Sequence, residues 1–373
     1  MTTEVGLSGL AAASALGRGA DAQLAGVLSG TAAFGPVRRF DVGGRRVRVA
    51  ATLPDAGSLI DELADVTAGA CRHAGLDAES LANSRLLLAV HAFPDAPRHT
   101  GRSWPNAADL AAVLASRVGL GQVSGVYTSA CVSASTAIAD AAALISRGRA
   151  ERIVVAAGYL VESDQFALFD SGRALATDGS VRPFSTGRTG LLLGDAVAAV
   201  VLEPVAAIRR RAGQVLARLV GWGRSGDAYH AVRPHPGGHG MATAIGAALR
   251  RAGVPAEALG YVNAHGTGTS FSDAAESAAL HRALGPAARR VPVSSTKATH
   301  GHALAASGLI ELVVTVLAMR AGTLPVNAGF LAPDEDCDLD VIVAGPRPVS
   351  GEYALSLNAA FGGANTALVV RAT

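Results

Sequence analysis

Two parts of this chain repeat one arrangement, and that repeat restricts the fold more than any other feature. In the first part, an apolar run at Val123 to Tyr127 reads as a strand, and Thr128-Ser129-Ala130-Cys131-Val132-Ser133-Ala134-Ser135 follows it. Ala134, Ile138, Ala141 and Ile145 then recur at helical spacing until Gly148 stops the pattern. In the second part, Val291-Pro292-Val293 opens a strand-like piece, followed by Ser295-Thr296-Lys297-Ala298-Thr299-His300-Gly301-His302. Ala305, Leu309, Leu312 and Val316 then repeat the helical spacing, 171 residues on from Ala134. A second pair of segments agrees. Gly194-Asp195-Ala196 runs into Val200-Val201-Leu202, and 168 residues later Gly362-Gly363-Ala364 runs into Leu368-Val369-Val370. Two similar offsets predict a duplicated half-chain unit built from strands and helices.

The chain is long enough for two such halves, at 373 residues. Half of it is hydrophobic but only 4% is aromatic, so Ala and Gly dominate and helices can pack closely on sheets. A net charge of +2 gives a nucleic-acid role no support. Cys71, Cys131 and Cys337 are too scattered for a disulfide framework or a zinc site, which fits a reducing compartment. The Ala-rich N-terminus, ending near Leu16, lacks the basic start of a signal peptide. The longest apolar helix, near Ala303 to Met319, is too short and too interrupted to span a bilayer.

Taken in order, residues 1–50 mix turns with short apolar runs, and Ser58 to Ala74 is helical up to Gly75. Leu86 to Val90 suits a buried strand, Phe93 to Asn106 a surface loop, and Ala107 to Val118 a helix. Arg152 to Ala157 is a continuous apolar strand, Gly158 to Leu193 an irregular section, and Ala196 to Leu202 a strand that closes the first half. Arg209-Arg210-Arg211 at the seam reads as a polar surface run. The second half opens with a strand at Val215 to Val220. The loop Asp227 to Gly240 carries His230, His235 and His239 among Pro and Gly, without the carboxylate or Cys framework of a metal site. A helix at Ala242 to Ala252 and a strand at Tyr261 to Asn263 follow.

Three side chains stand at strand ends or strand–helix junctions. Cys131 sits beside a helix N-terminus, where unpaired N–H groups and the helix dipole favour an anion and lower a thiol's pKa. A small buried Cys at a tight turn fits that stretch equally well. His265 lies in Asn263-Ala264-His265-Gly266-Thr267-Gly268-Thr269, where Gly permits close backbone approach, and Asp273 and Glu276 share one face of the next helix. By itself His265 reads as a structural turn residue. With Cys131 and His302 it makes a set that one edge of an α/β sheet would bring together.

These pieces resemble the β-ketoacyl-acyl-carrier-protein synthases, and the resemblance runs nearly end to end. The Cys131 stretch is similar to their nucleophile motif. Asn263 to Thr269 with Asp273 and Glu276 is similar to their first His motif, and Ser295 to His302 to their Lys and second-His motif. Asn358-Ala359-Ala360-Phe361-Gly362-Gly363-Ala364-Asn365 resembles their C-terminal Gly-rich loop. Arg182-Pro183-Phe184, the Gly194-Asp195 strand and Asp227-Ala228-Tyr229-His230 also match. The resemblance implies a thiolase-like α/β fold, with duplicated halves in five α-β-α-β-α layers, divided here as residues 1–205 and 206–373. It implies a decarboxylative Claisen condensation. Cys131 would take the acyl chain and His265 and His302 would act on a malonyl-type extender. Lys297, paired with Glu311, would tune them. The N–H groups of Cys131 and Phe361 would form the oxyanion hole, and Phe361 with Phe169 the gate. It implies no metal or other cofactor.

The third catalytic position separates relatives. Thiolases carry a second Cys in the C-terminal loop, the short-chain-priming synthases carry Asn where His302 stands, and silent chain-length partners lack the nucleophile. Cys-His-His therefore points to an elongating type. The chain departs from the family in a shortened stretch between Val90 and Asn106, in His300 where Thr is usual, in Ala360 where Gly is usual, in the order Thr128-Ser129, and in Asp195 where Glu is usual. These departures suggest a specialised polyketide or fatty-acid-like natural-product pathway. The expected partners are an acyl carrier protein and acyl and malonyl-type thioesters, with a homodimer expected and a heterodimer with a chain-length subunit left open. The expected setting is cytoplasmic, with no nucleic acid and no membrane. Two other readings remain: a Cys-dependent acyltransferase that off-loads the chain, and a pocket-shaping subunit of a heterodimer.

Overall fold

A computed structural model describes residues 3–91 and 106–373. The loop expected from Phe93 and the shortening read between Val90 and Asn106 fall on residues 92–105, outside the described residues. The first half contributes strands β1 (Val5–Ser14), β2 (Arg85–Val90), β3 (Gln122–Tyr127), β4 (Ile153–Tyr159) and β5 (Ala196–Pro204). Its helices are α1 (Leu59–His73), α2 (Ala107–Val118), α3 (Ser133–Ser146) and α4 (Ser163–Ser171). The second half contributes β6 (Ala217–Gly226), β7 (Leu259–Asn263), β8 (Pro292–Ser294), β9 (Asp340–Val341), β10 (Tyr353–Ala359) and β11 (Ala364–Ala372). Its helices are α5 (His239–Ala252), α6 (Ser270–Leu284) and α7 (Ser307–Ala321).

The strands form one sheet in the order β9-β8-β7-β10-β11-β6-β1-β5-β4-β2-β3, with the two-residue piece Gly17–Arg18 added to β1. Each half follows the same plan. β1 pairs antiparallel with β5, β5 antiparallel with β4, β4 parallel with β2, and β2 parallel with β3. β6, β11, β10, β7 and β8 repeat those relations in turn. The halves join edge to edge where Val5, Gly6 and Leu7 of β1 face Leu219, Arg218 and Ala217 of β6. The parallel strands lie between helices, and they read as unbroken apolar runs because both faces are covered.

The layers follow from where the apolar faces point. Along β4, Ile153, Val155, Ala157 and Tyr159 enter the central core, while Val154 and Ala156 enter an outer core with α1 and α2. In the second half, Val262, Leu355, Leu357, Ala367 and Val369 face α5 and α6 in the other outer core. Helices α3 and α7 pack on each other and on strands of both halves, so they form the middle of the five layers. A helix apolar on all sides belongs in such a place. The helix expected to be too short and too interrupted for a bilayer is in fact long and apolar enough over Leu304–Ala321 to cross one, but 83% of that window is buried inside this fold.

The duplicated architecture matches the expectation, with four differences in detail. Ser133 and Ser307 open the equivalent helices α3 and α7, which puts the helical echo about one turn away from the 171-residue match. Helical spacing tolerates a slip of three residues, so periodicity cannot fix that register. The irregular section after Gly158 contains α4. The N-terminal Ala-rich stretch is the ten-residue central strand β1. At the seam, Arg209 and Arg210 are exposed, whereas Arg211 pairs with the buried Glu203.

Candidate active site

The Cys131 turn is built under local strain. A single 3-10 turn, Ala130–Val132, joins β3 to α3, and Ala130 takes a positive φ of 51° although it has a side chain. The equivalent turn, Leu304–Ala306, precedes α7, and Leu304 takes a φ of 43°. Non-Gly residues in this region cost about 1–3 kcal/mol each and persist where their surroundings over-determine them. These two turns pack against one another, which brings the Cys131 loop to the loop that carries His302.

The histidines are held through their backbones. His265 N donates to Glu276 Oε1 and Gly266 N to Glu276 Oε2, both at 2.7 Å. Thr267 N and Gly268 N donate to Asp273 Oδ1, and Phe184 N donates to Asp273 Oδ2 at 2.9 Å. The two acids on α6 therefore clamp the Gly-rich turn, which ties Arg182-Pro183-Phe184 to it. Burial pushes the Asp273 carboxyl up to about 6 and Glu276 up to about 7, against the pull of those N–H groups. His302 N donates to Leu192 O at 2.7 Å, and Gly194 N donates to His302 O at 3.1 Å. Here Gly301 and Gly194 must both be Gly: a Cβ on Gly301 would stand 2.8 Å from Gly194 Cα.

The rings of His265 and His302 meet edge to face with centroids 5.5 Å apart. Both are buried, and burial, followed by the Lys297 charge, holds both well below the usual His range. They are neutral imidazoles near pH 7, each able to donate one N–H. Lys297 and Glu311 form a buried ion pair with Nζ and Oε1 2.5 Å apart, and Asn358 Nδ2 donates to Glu311 Oε2 at 2.7 Å. Of the pair, it is the Lys297 charge that acts on both imidazoles. His300 lies behind it, with Nδ1 donating to Gly301 O at 2.9 Å and Nε2 3.0 Å from Thr296 Oγ1.

Cys131 is also buried. Burial pushes its thiol up to about 12, and Lys297 works against that rise. The expected lowering by the helix N-terminus is thus outweighed by desolvation, and the resting side chain is a thiol. Phe361 follows β10, is half exposed and stacks on Phe169 of α4 with centroids 5.9 Å apart. Asp227 N donates to Gly363 O at 2.8 Å and Gly362 N donates to Ala231 O at 2.7 Å, which anchors this loop to residues 227–231. Asp195 is a buried hub that accepts from Arg39, Leu53 N and Val161 N.

Of the loop histidines, His235 reaches the edge of this constellation, where it lines a small cavity together with His265 and Glu276. His230 Nδ1 accepts from Val232 N and Arg233 N in its own turn, and His235 and His239 stack at 4.3 Å. Among the described residues no group of three or more His, Cys, Asp or Glu could hold a metal ion. Ser307 escaped the sequence reading: its hydroxyl stands 2.8 Å from His302 Nδ1. A lone Ser opening an apolar helix is an N-terminus signal, and nothing in the spacing ties it to the His five residues earlier.

Comparison with known proteins gives the site a context. Residues 49–207 match the family described as β-ketoacyl synthase, N-terminal domain, and residues 216–331 match its C-terminal domain. Nodulation protein E of Rhizobium meliloti is 40% identical over 253 residues, which is 67% of this chain and 62% of that protein. A 3-oxoacyl-[acyl-carrier-protein] synthase 2 of Coxiella burnetii is 37% identical over 65% of this chain and 60% of its own length. The match thus spans less than two thirds of these relatives. The solved structure titled the ishigamide ketosynthase/chain length factor superposes over 100% of both chains with a TM-score of 0.91 and 26% identity.

Proposed function

The chain belongs to the β-ketoacyl synthase family, and from that premise we propose that it catalyses decarboxylative Claisen condensation on acyl carrier protein. The observation that carries the reading is the pair of neutral, buried imidazoles, His265 and His302, fixed beside the Lys297–Glu311 pair at the turn that bears Cys131. The shared topology and the family matches also support residues 1–205 and 206–373 as its two halves.

Cys131 Sγ attacks the acyl thioester carbonyl, and the carrier thiolate leaves with the Cys proton. The N–H groups of Cys131 and Phe361 receive the carbonyl oxygen. Among the described residues no backbone acceptor takes the Phe361 N–H. A malonyl thioester then binds with its carbonyl oxygen between His265 and His302. Its C–C bond breaks, carbon dioxide leaves, and the electron pair forms an enolate whose oxygen takes both N–H donors. The α-carbon attacks the acyl-Cys131 carbonyl, a C–C bond forms, and the Cys131 thiolate leaves and regains a proton from water. Lys297 and Glu311 position and polarise the site. Phe361 and Phe169 gate the acyl chain.

The partners in this reading are an acyl carrier protein and acyl and malonyl-type thioesters in the cytoplasm, with a second subunit. Likeness to a ketosynthase/chain length factor supports a two-subunit enzyme of a specialised polyketide or fatty-acid-like pathway. The test is intact mass of the protein and of Cys131→Ala after exposure to hexanoyl carrier protein, then malonyl carrier protein. We expect an acyl adduct only on the wild type, discharged with release of carbon dioxide. An adduct that malonyl carrier protein cannot discharge would make the protein an off-loading acyltransferase instead.

A further inference from the structure

We propose that Ser307 sets the tautomer of His302, keeping Nδ1 bare and the ring proton on Nε2. The reasoning starts from the hydroxyl. Ser307 is the first residue of α7 and is fully buried. Its Oγ stands 3.1 Å from Ala303 N and 2.8 Å from His302 Nδ1. A backbone N–H can only donate, so it occupies a lone pair of Oγ. The hydroxyl hydrogen then needs an acceptor, and among the described residues Nδ1 is the one within reach. A neutral imidazole that accepts at Nδ1 carries its proton on Nε2.

His302 differs in this from its neighbour. His265 Nδ1 is buried with no hydrogen-bond partner among the described residues, so no side chain fixes its proton. The His302 backbone is already locked by Leu192 and Gly194, and Ser307 locks the remaining freedom, the proton position and ring tilt. The consequence for chemistry rests on the condensing reading. With the proton on Nε2, the ring presents a donor to the enolate oxygen. With the proton on Nδ1, it would present a lone pair to an anion. Acylation of Cys131 does not depend on that donor. Ser307 is therefore a positioning residue for the decarboxylation step alone.

The experiment uses full-length protein labelled with 15N-histidine, with the His302 signals assigned by their loss in His302→Asn. In the wild type we expect an unprotonated, hydrogen-bonded Nδ1 and a protonated Nε2. In Ser307→Ala we expect a mixture of tautomers. Carbon dioxide release from malonyl carrier protein should fall roughly 10- to 100-fold, while the rate of Cys131 acylation by hexanoyl carrier protein stays within about twofold. Ser307→Cys, which keeps a weak donor, should lie between, and it serves if the Ala variant does not fold. A wild-type spectrum with the proton on Nδ1, or a Ser307→Ala protein unchanged in spectrum and rate, would overturn the proposal. If the wild type is acylated but releases no carbon dioxide, the condensing reading fails, while the spectrum still decides the role of Ser307.

Discussion

His300 shows how a single buried side chain couples this site to pH. Both of its ring nitrogens have partners, Gly301 O and Thr296 Oγ1, and nothing exposes it to water. Burial, then the Lys297 charge, pushes it from 6.5 down to about 4. Between those values the unfolded chain binds a proton that the fold refuses, so stability rises with pH through the window. The stability tied to a neutral His300 is complete above about 6.5 and is lost as the pH falls toward 4. Asp273 and Glu276 have the opposite sign, since their folded values are raised, and they stay in place in a variant at 300. His300→Gln should therefore lose less thermal stability than the wild type between pH 7 and about 4.5. Thermal midpoints across that range check it, and parallel curves for the two proteins would remove His300 from the account. At this scale much of the site is legible in the sequence. Cys131 and His265 stand out because each interrupts a run of small residues just after a strand, and His302 because it stands in the loop that leads into an apolar helix. Ser307 and Asn327 do not, because their partners, His302 and Ser295, are set by the fold, and Asn358 shows only as part of its loop motif, not as the partner of Glu311.

At the scale of elements, the crossing of α3 and α7 decides where the turn that carries Cys131 and the turn that precedes α7 stand. The crossing is close because small residues line it. A Cβ added to Gly308 of α7 would meet Ser135 N of α3 at 2.8 Å and Asn358 Oδ1 at 2.9 Å. Ser135 Oγ in turn meets Thr366 Oγ1 of β11 at 2.7 Å, so the helix cannot retreat freely. Gly308→Ala should cost about 1–3 kcal/mol of stability by overpacking. It should also slow condensation more than acylation, because it shifts α7 and with it the His302 loop. Denaturant unfolding and the two partial reactions measure both effects, and a variant as stable and as active as the wild type would mean that the crossing is slack. Long, strongly periodic helices such as α1, α2 and α5 were legible to within a few residues. Strand β1 was not, because its Val-Gly-Leu-Ser-Gly-Leu-Ala-Ala-Ala-Ser run has few β-branched residues and gains its conformation from pairing with β5 and β6. Helix α4 was hidden for a related reason: it packs Phe166 and Phe169 inward and leaves Leu168 exposed, a pattern too short to read as periodic.

At the scale of the whole molecule, the duplication was legible as an echo, but the dependence of one half on the other was not. Periodicity reports which face of an element is apolar, and it is silent on which half covers that face. Here α7 belongs to the second half by sequence and is covered by strands of both, and α3 is shared in the same way. The single sheet adds a covalent-like continuity, since β1 pairs with β5 of its own half and with β6 of the other. Residues 206–373 expressed alone would expose the α7 face that normally meets α3, β1 and β5, and would leave the β6 edge unpaired. Residues 1–205 alone would expose α3 likewise. Each half by itself should therefore be insoluble or molten, and the two expressed together should recover a soluble complex that Cys131 acylation can report. Size-exclusion chromatography and near-ultraviolet circular dichroism distinguish these states. A second half that folds alone with a cooperative thermal transition would contradict the shared middle layer, and it would mean that α7 can close its core without α3.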